Sequence, residues 1–164
     1  MEKWDILNSA GEPTGETVVR SANALKEGQY HLVVHIWVIN DKGKTLIQKR
    51  SDNVEILPGI WATTSGSALS GETELDAAKR ELSEELGITA EEDDFKFIKK
   101  YRGKNNIVYV YAVHKSLGIS EITMQDEEVQ AVKWVSSQEL SGMVLKKQFH
   151  HYNYMSELYE YMNK

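Results

Sequence analysis

Residues 66–88 read GSALSGETELDAAKRELSEELGI, and they set Glu81, Glu84 and Glu85 within little more than one helical turn. Thr73, with Asp76 three residues later, has the form of a capping box. Gly87 stands where a helix ends in the left-handed conformation. Together these signals predict a helix over about residues 74–86. At ~100° per residue, Leu75, Ala78, Leu82 and Leu86 share an arc of roughly 80°, the face expected to be buried. Glu81, Glu84 and Glu85 fall on the adjacent arc, beside the small Ala77 and Ala78. Like charges at i,i+4 cost about 0.2–0.5 kcal/mol per pair. Lys79 lies on the opposite side, and Arg80, one step round, can pair with Glu84, which covers one acid of the three. A solvated acidic helix face would give the same pattern, since glutamate is a good helix former. A divalent-cation site gives it a reason. Magnesium takes hard oxygen ligands and turns the repulsion between carboxylates into shared attraction.

Outward from this segment, the chain has the length of one domain spanning residues 1–164. With 41% hydrophobic and 27% charged residues it has the balance of a globular protein that builds its own core. The absence of cysteine removes disulfides, thiolate metal sites and cysteine nucleophiles, and suits a cytoplasmic setting. Because the histidines are dispersed as well, a zinc site is disfavoured. A net charge of −6 argues against nonspecific binding to nucleic acid or an anionic membrane. No apolar run reaches the length of a membrane span, and residues 1–20 hold no apolar core of signal-peptide length. An anionic ligand would therefore need a cation to mediate its contact.

WDILNSAGEPTGETVVR (4–20) predicts two short strands around a turn. YHLVVHIWVIN (30–40) and KTLIQKR (44–50) predict a central hairpin across Asp41-Lys42-Gly43. FKFIKKYRG, NNIVYVYAVH and VQAVKWV predict three more strands, and Ser136 or Ser137 caps a helix beginning near Glu139. In QFHHYNYMSELYEYMNK (148–164), Phe149, Tyr152, Met155, Tyr159 and Met162 recur near helical spacing, which predicts a long amphipathic helix carrying His150 and His151 on its surface. Strands and helices mix without regular alternation, so the expected class is α/β or α+β, a sheet of mixed direction with helices packed on its faces. His31 and His35, about 13 Å apart along one strand face, are too distant to share a metal and are expected to line a cleft or contact a partner. Lys99, Lys100, Arg102 and Lys104 read as a solvated basic hairpin, and Trp37, Trp61 and Trp134 as core residues.

The full spacing around the glutamates is Gly66, five residues, Glu72, seven residues, Arg80-Glu81-Leu82, one residue, Glu84-Glu85, one residue, Gly87-Ile88. This resembles the Nudix box at each of its nine defined positions. The resemblance implies an α/β/α sandwich with helices on both faces of a mixed sheet, and magnesium, or manganese in its place, held at a small-molecule diphosphate. It further implies that Glu81, Glu84 and Glu85 are metal ligands, with the Gly66 carbonyl as a further one. Arg80 would orient the glutamates, and Glu72 would support them or close the loop. The reaction implied is hydrolysis of a phosphoanhydride in a nucleoside diphosphate linked to another moiety. Glu81 and Glu128 are the two candidates to take the proton of the attacking water; Glu128 precedes Trp134 by six residues, a spacing shared with several family members.

WDILNSAGEPTG, LIQKR and LPGIW are similar to the branch containing isopentenyl-diphosphate isomerase, which makes that chemistry the rival reading. Its catalytic cysteine falls near Ser65 and the following histidine near Ser67, and of its histidine set only His31 remains. Where relatives often carry a phosphate-binding lysine this chain reads Asn53-Val54-Glu55, which leaves Arg50 as the candidate phosphate contact. A nucleotide-binding module without turnover is a third reading, but such modules usually lose box glutamates. The tail aromatics could pack across a homodimer interface.

Overall fold

The computed structural model describes residues 1–164. Strands β1 (Lys3–Leu7) and β2 (Pro13–Val19) form the expected N-terminal hairpin, a small antiparallel sheet of its own. The main sheet holds β3 (His31–Ile39), β4 (Thr45–Arg50), β5 (Trp61–Ala62), β6 (Thr64–Ser67), β7 (Phe95–Arg102), β8 (Asn106–His114) and β9 (Val129–Val135). β8 runs parallel to β3 along its whole length, from His31 beside Asn106 to Ile39 beside His114, and the other pairings are antiparallel, so the sheet is mixed.

The expected β3–β4 hairpin is joined only at its closed end. Val38 faces Leu46 and Ile39 faces Thr45, after which the strands separate. The stretch 61–67 enters the gap, with Trp61 and Ala62 bonded to β4 and Thr64–Ser67 bonded to β3. This wedge splits the sheet at one end, and the split holds the cavity described below.

Helices cover both faces, as an α/β/α sandwich requires. Helix α1 (Glu74–Leu86) packs Ala77, Ala78, Leu82 and Leu86 onto Val34, Ile36, Val38 and Leu46. On the opposite face, α2 (Ser137–Leu145) and α3 (Met155–Met162) pack Leu140, Met143, Leu158 and Met162 onto Trp37, Ile39, Ile47 and Val110. The strand period of two sends alternate β3 residues to the two cores. Ser136 caps α2, which begins at Ser137, two residues ahead of the expected start.

The tail departs from the sequence expectation. Only residues 155–162 are helical. The segment before them lies extended against β5: the Trp61 N–H donates to the Gln148 carbonyl at 3.2 Å, and the His150 N–H donates to the Trp61 carbonyl at 2.9 Å. Phe149, Tyr152, Tyr154 and Met155 are buried in the chain's own core. They are therefore not free for a homodimer interface. The basic hairpin also resolves into separate partners: Lys99 pairs with Glu157, Lys100 lies over Tyr109 and Arg102 over Tyr30. No helix is long and apolar enough to cross a membrane.

Candidate active site

Helix α1 forms as its sequence dictates. Thr73 Oγ1 accepts the Asp76 N–H, and Asp76 in return accepts the Thr73 N–H, closing the capping box. At the other end Gly87 adopts φ 65°, and its N–H reaches back to the carbonyls of Leu82 and Ser83. This rigid segment fixes the direction of every acid on it.

Arg80 organises the acids. Its Nε donates to Glu72 at 2.6 Å, one terminal nitrogen donates to Glu81 at 2.9 Å and Glu84 at 3.2 Å, and the other donates to Glu72 at 3.0 Å and the Ser67 carbonyl at 3.1 Å. All five guanidinium N–H groups are thus committed. The helical wheel pairs Arg80 with Glu84, while the family resemblance has Arg80 orienting the glutamates and Glu72 supporting them or closing the loop. Glu72 precedes the first helical turn and does both: it folds back to Arg80, and one of its oxygens accepts the Leu69 N–H at 2.9 Å and closes the loop.

Gly66 has a steric duty. A Cβ placed there would overlap the Glu81 carboxyl group, so glycine lets this side chain lie flat against β6. Glu85, at 6% exposure, is not on a solvated strip but buried. Its Oε2 accepts from Gln48 Nε2 at 3.1 Å, and Gln48 Oε1 accepts from the Thr64 hydroxyl at 2.9 Å. Burial pushes the Glu85 carboxyl up to about 8, and the neighbouring Glu81 adds to the effect. Burial likewise raises Glu81 to about 7 despite the opposing pull of Arg80. Glu128 contributes repulsion to both groups.

Glu81, Glu84, Glu85, Gly66, Arg80, Glu128 and Arg50 all line one cavity of about 610 Å³ at the split in the sheet. Arg50 and Glu128 are drawn together by the backbone next to them, where the Ser51 N–H donates to the Glu128 carbonyl at 2.9 Å. Arg50 Nε donates to the Ile56 carbonyl at 2.8 Å, and its terminal nitrogens have no partner in the protein. His150 and His151, expected on a helix surface, line the cavity instead. Sequence reasoning missed Gln48, Tyr101 and Tyr152. A glutamine two residues beyond buried Leu46 on the same strand face was the available signal for Gln48. Nothing local marked the two tyrosines.

The donor set fits a hard divalent cation. The ligand atoms available are carboxylate oxygens and a backbone carbonyl, with neither thiolate nor clustered imidazole among them. Arg80 has no donor left for Glu85 or Glu128, and burial already raises the Glu85 carboxyl. No three acidic or histidine side chains converge tightly enough to enclose an ion by themselves. Magnesium keeps several waters and takes substrate phosphate oxygens, so it does not need a closed protein cage.

The NUDIX domain family matches residues 29–158. The chain is 37% identical over 164 residues to an uncharacterised Nudix hydrolase of Listeria innocua, a match taking in 99% of this chain and 96% of that protein. It is 33% identical over 160 residues to Nudix hydrolase 3 of Arabidopsis thaliana, covering 89% of this chain and 21% of the longer plant protein. A crystal structure from Deinococcus radiodurans shares the fold with a TM-score of 0.78 at 20% identity, over 99% of this chain and 98% of that one. A MutT protein from Methanosarcina mazei does so at 0.61 and 22%, over 82% and 93%. The chain therefore belongs to the Nudix family, and it is a hydrolase acting on pyrophosphate bonds.

Proposed function

We propose that the protein is a cytoplasmic, magnesium-dependent pyrophosphohydrolase that cleaves the phosphoanhydride of a nucleoside diphosphate linked to another moiety. Manganese would serve in place of magnesium. The observation that carries this reading is the saturation of Arg80: its donors are all taken by Glu72, Glu81, Glu84 and the Ser67 carbonyl, while Glu85 and Glu128 remain in the same cavity without a dedicated cation.

Glu81, Glu84 and Glu85, with the Gly66 carbonyl, would hold the ion. Bound there, magnesium polarises phosphoryl oxygens, lowers the pKa of its water and offsets charge on the departing phosphate. Arg80 keeps the glutamates in position through charge-assisted hydrogen bonds. Arg50 meets a phosphate oxygen with its free terminal nitrogens. The proton of the attacking water passes to Glu81 or Glu128. The cavity supports a polar substrate over the prenyl diphosphate of the isomerase reading, because only 7 of its 24 lining residues are hydrophobic. Ser65 and Ser67 line it where the isomerase's cysteine and histidine would fall.

The test is a screen of dinucleotides, nucleotide sugars, nucleoside triphosphates and isopentenyl diphosphate with magnesium, followed by product identification. Glu84→Gln and Glu85→Gln are expected to lower kcat at least ~10²-fold, the upper range seen when outer-shell metal partners are removed. Turnover at the wild-type rate in both variants would overturn the ligand assignment.

A further inference from the structure

His35 stands in the middle of β3 and lines the cavity. It is paired in register with Ser65, which lines the same cavity. Its Nδ1 lies 2.8 Å from the hydroxyl of Tyr154, a residue of the extended tail that is wholly buried. The same hydroxyl lies 3.0 Å from Trp37 Nε1.

These two contacts fix where the protons sit. An indole N–H only donates, so the Tyr154 oxygen is the acceptor of Trp37. The single phenol proton then has one protein acceptor within reach, His35 Nδ1. The opposite arrangement, with Nδ1–H donating to the phenol, would strand the phenol proton without an acceptor in a fully buried site. His35 Nδ1 is therefore the acceptor, and the hydrogen of the neutral ring sits on Nε2. No protein group bonds Nε2.

We propose that His35 is a specificity-determining residue whose tyrosine-locked tautomer presents an Nε2–H donor to an uncharged acceptor, a hydroxyl or ring carbonyl, on the sugar or base attached to the diphosphate. This rests on the pyrophosphohydrolase reading and names the kind of group the cavity selects. A neutral single donor does not compete for phosphate, which Arg50 and the metal end serve. Tyr101, its ring centroid 6.5 Å from that of His35, lines the same cavity and supplies an aromatic surface for a ring. Burial holds His35 down to about 3, so the ring stays neutral at working pH. The hydrogen-bond connection would also explain the burial of Tyr154: its hydroxyl has two partners, and together they set the histidine.

Two measurements test this. Long-range proton–nitrogen correlation spectra of the wild-type protein with labelled histidine should show His35 protonated at Nε2 and bare at Nδ1. Protonation at Nδ1 overturns the inference. The second measurement is calorimetric binding of ADP-ribose and of isopentenyl diphosphate, with calcium replacing magnesium to prevent turnover. His35→Phe should weaken ADP-ribose about 5- to 10-fold and leave isopentenyl diphosphate unchanged, since the latter carries no acceptor beyond its phosphates. His35→Gln, whose amide N–H reaches the same place, should recover most of the loss. Tyr154→Phe should release the tautomer and weaken ADP-ribose by a smaller factor. Equal weakening of both probes would mark His35 as merely structural and overturn the inference, as would failure of ADP-ribose to bind the wild-type protein. Binding that depends on His35 without hydrolysis in magnesium would instead overturn the pyrophosphohydrolase reading alone.

Discussion

Arg80 shows how much one side chain can decide. Its five N–H groups tie helix α1 to Glu72 and to the Ser67 carbonyl of β6, so the acids are set relative to the sheet as well as to one another. Lysine keeps the charge but loses the planar fork. Arg80→Lys is expected to lower kcat about 10- to 100-fold, the range for groups that orient metal ligands, while thermal scans show a shift of only a few degrees. Metal addition provides a second check on the same residues. If the proposed ligands hold it, magnesium should raise the wild-type Tm with concentration, since such a site exists only in the folded chain, and should raise that of Glu85→Gln by much less. His35 carries the pH prediction. Its folded pKa, about 3, lies below the unfolded value of 6.5, so the unfolded chain takes up the proton first as pH falls. The stability it contributes is complete above pH 6.5 and is lost on descending toward pH 3. His31, lowered to about 4 by burial and by Arg20, acts in the same direction, whereas Glu81 and Glu85 act in the opposite one. The difference between two proteins isolates the one group: between pH 7 and pH 5, the wild type should lose more Tm than His35→Gln.

At the scale of elements, helix α1 was almost entirely legible. The residues that start it, stop it and bury it all lie within its own stretch of chain. The cap is correspondingly testable. Thr73→Ala removes the acceptor for the Asp76 N–H and should cost about 1 kcal/mol in urea unfolding. At the other end, Gly87 sits in the left-handed region, and a Cβ there would meet Thr123 at 2.9 Å, so Gly87→Ala should destabilise by at least as much. The tail was not legible in this way. Phe149, Tyr152 and Met155 keep helical spacing, yet residues 148–150 bond to β5. The intervening His150, His151, Tyr152, Asn153 and Tyr154 are indifferent helix formers. Backbone pairing with a distant strand, together with burial of the aromatic rings, outweighed the local period.

The whole molecule is one sheet with a core on each side and a cavity where the sheet splits. The face holding α2 and α3 positions Tyr152 and the His150 segment at the cavity, with Tyr154 buried behind them. Leu158, fully buried in that core, is therefore coupled to the site only through packing. Leu158→Ala should cost about 2–5 kcal/mol in denaturant unfolding, and at a temperature where the variant remains folded it should raise KM more than it lowers kcat. The box glutamates, seated on the other face, would be undisturbed.

The sequence by itself determined the box helix, its caps, the spacing of its acids and hence the family, because capping bonds, helical period and like-charge spacing all act across a few residues. It also marked Arg50 and Glu128 as candidates, through resemblance rather than through any local force, and both line the cavity. Only the tertiary structure decided that Gln48 would hold Glu85, that Arg80 would spend every donor, and that His35 would meet a tyrosine 119 positions away. Those contacts arise where the wedge of 61–67 parts β3 from β4. Their partners are chosen by burial and by the need to satisfy polar groups inside the fold, and neither leaves a periodic trace in the chain.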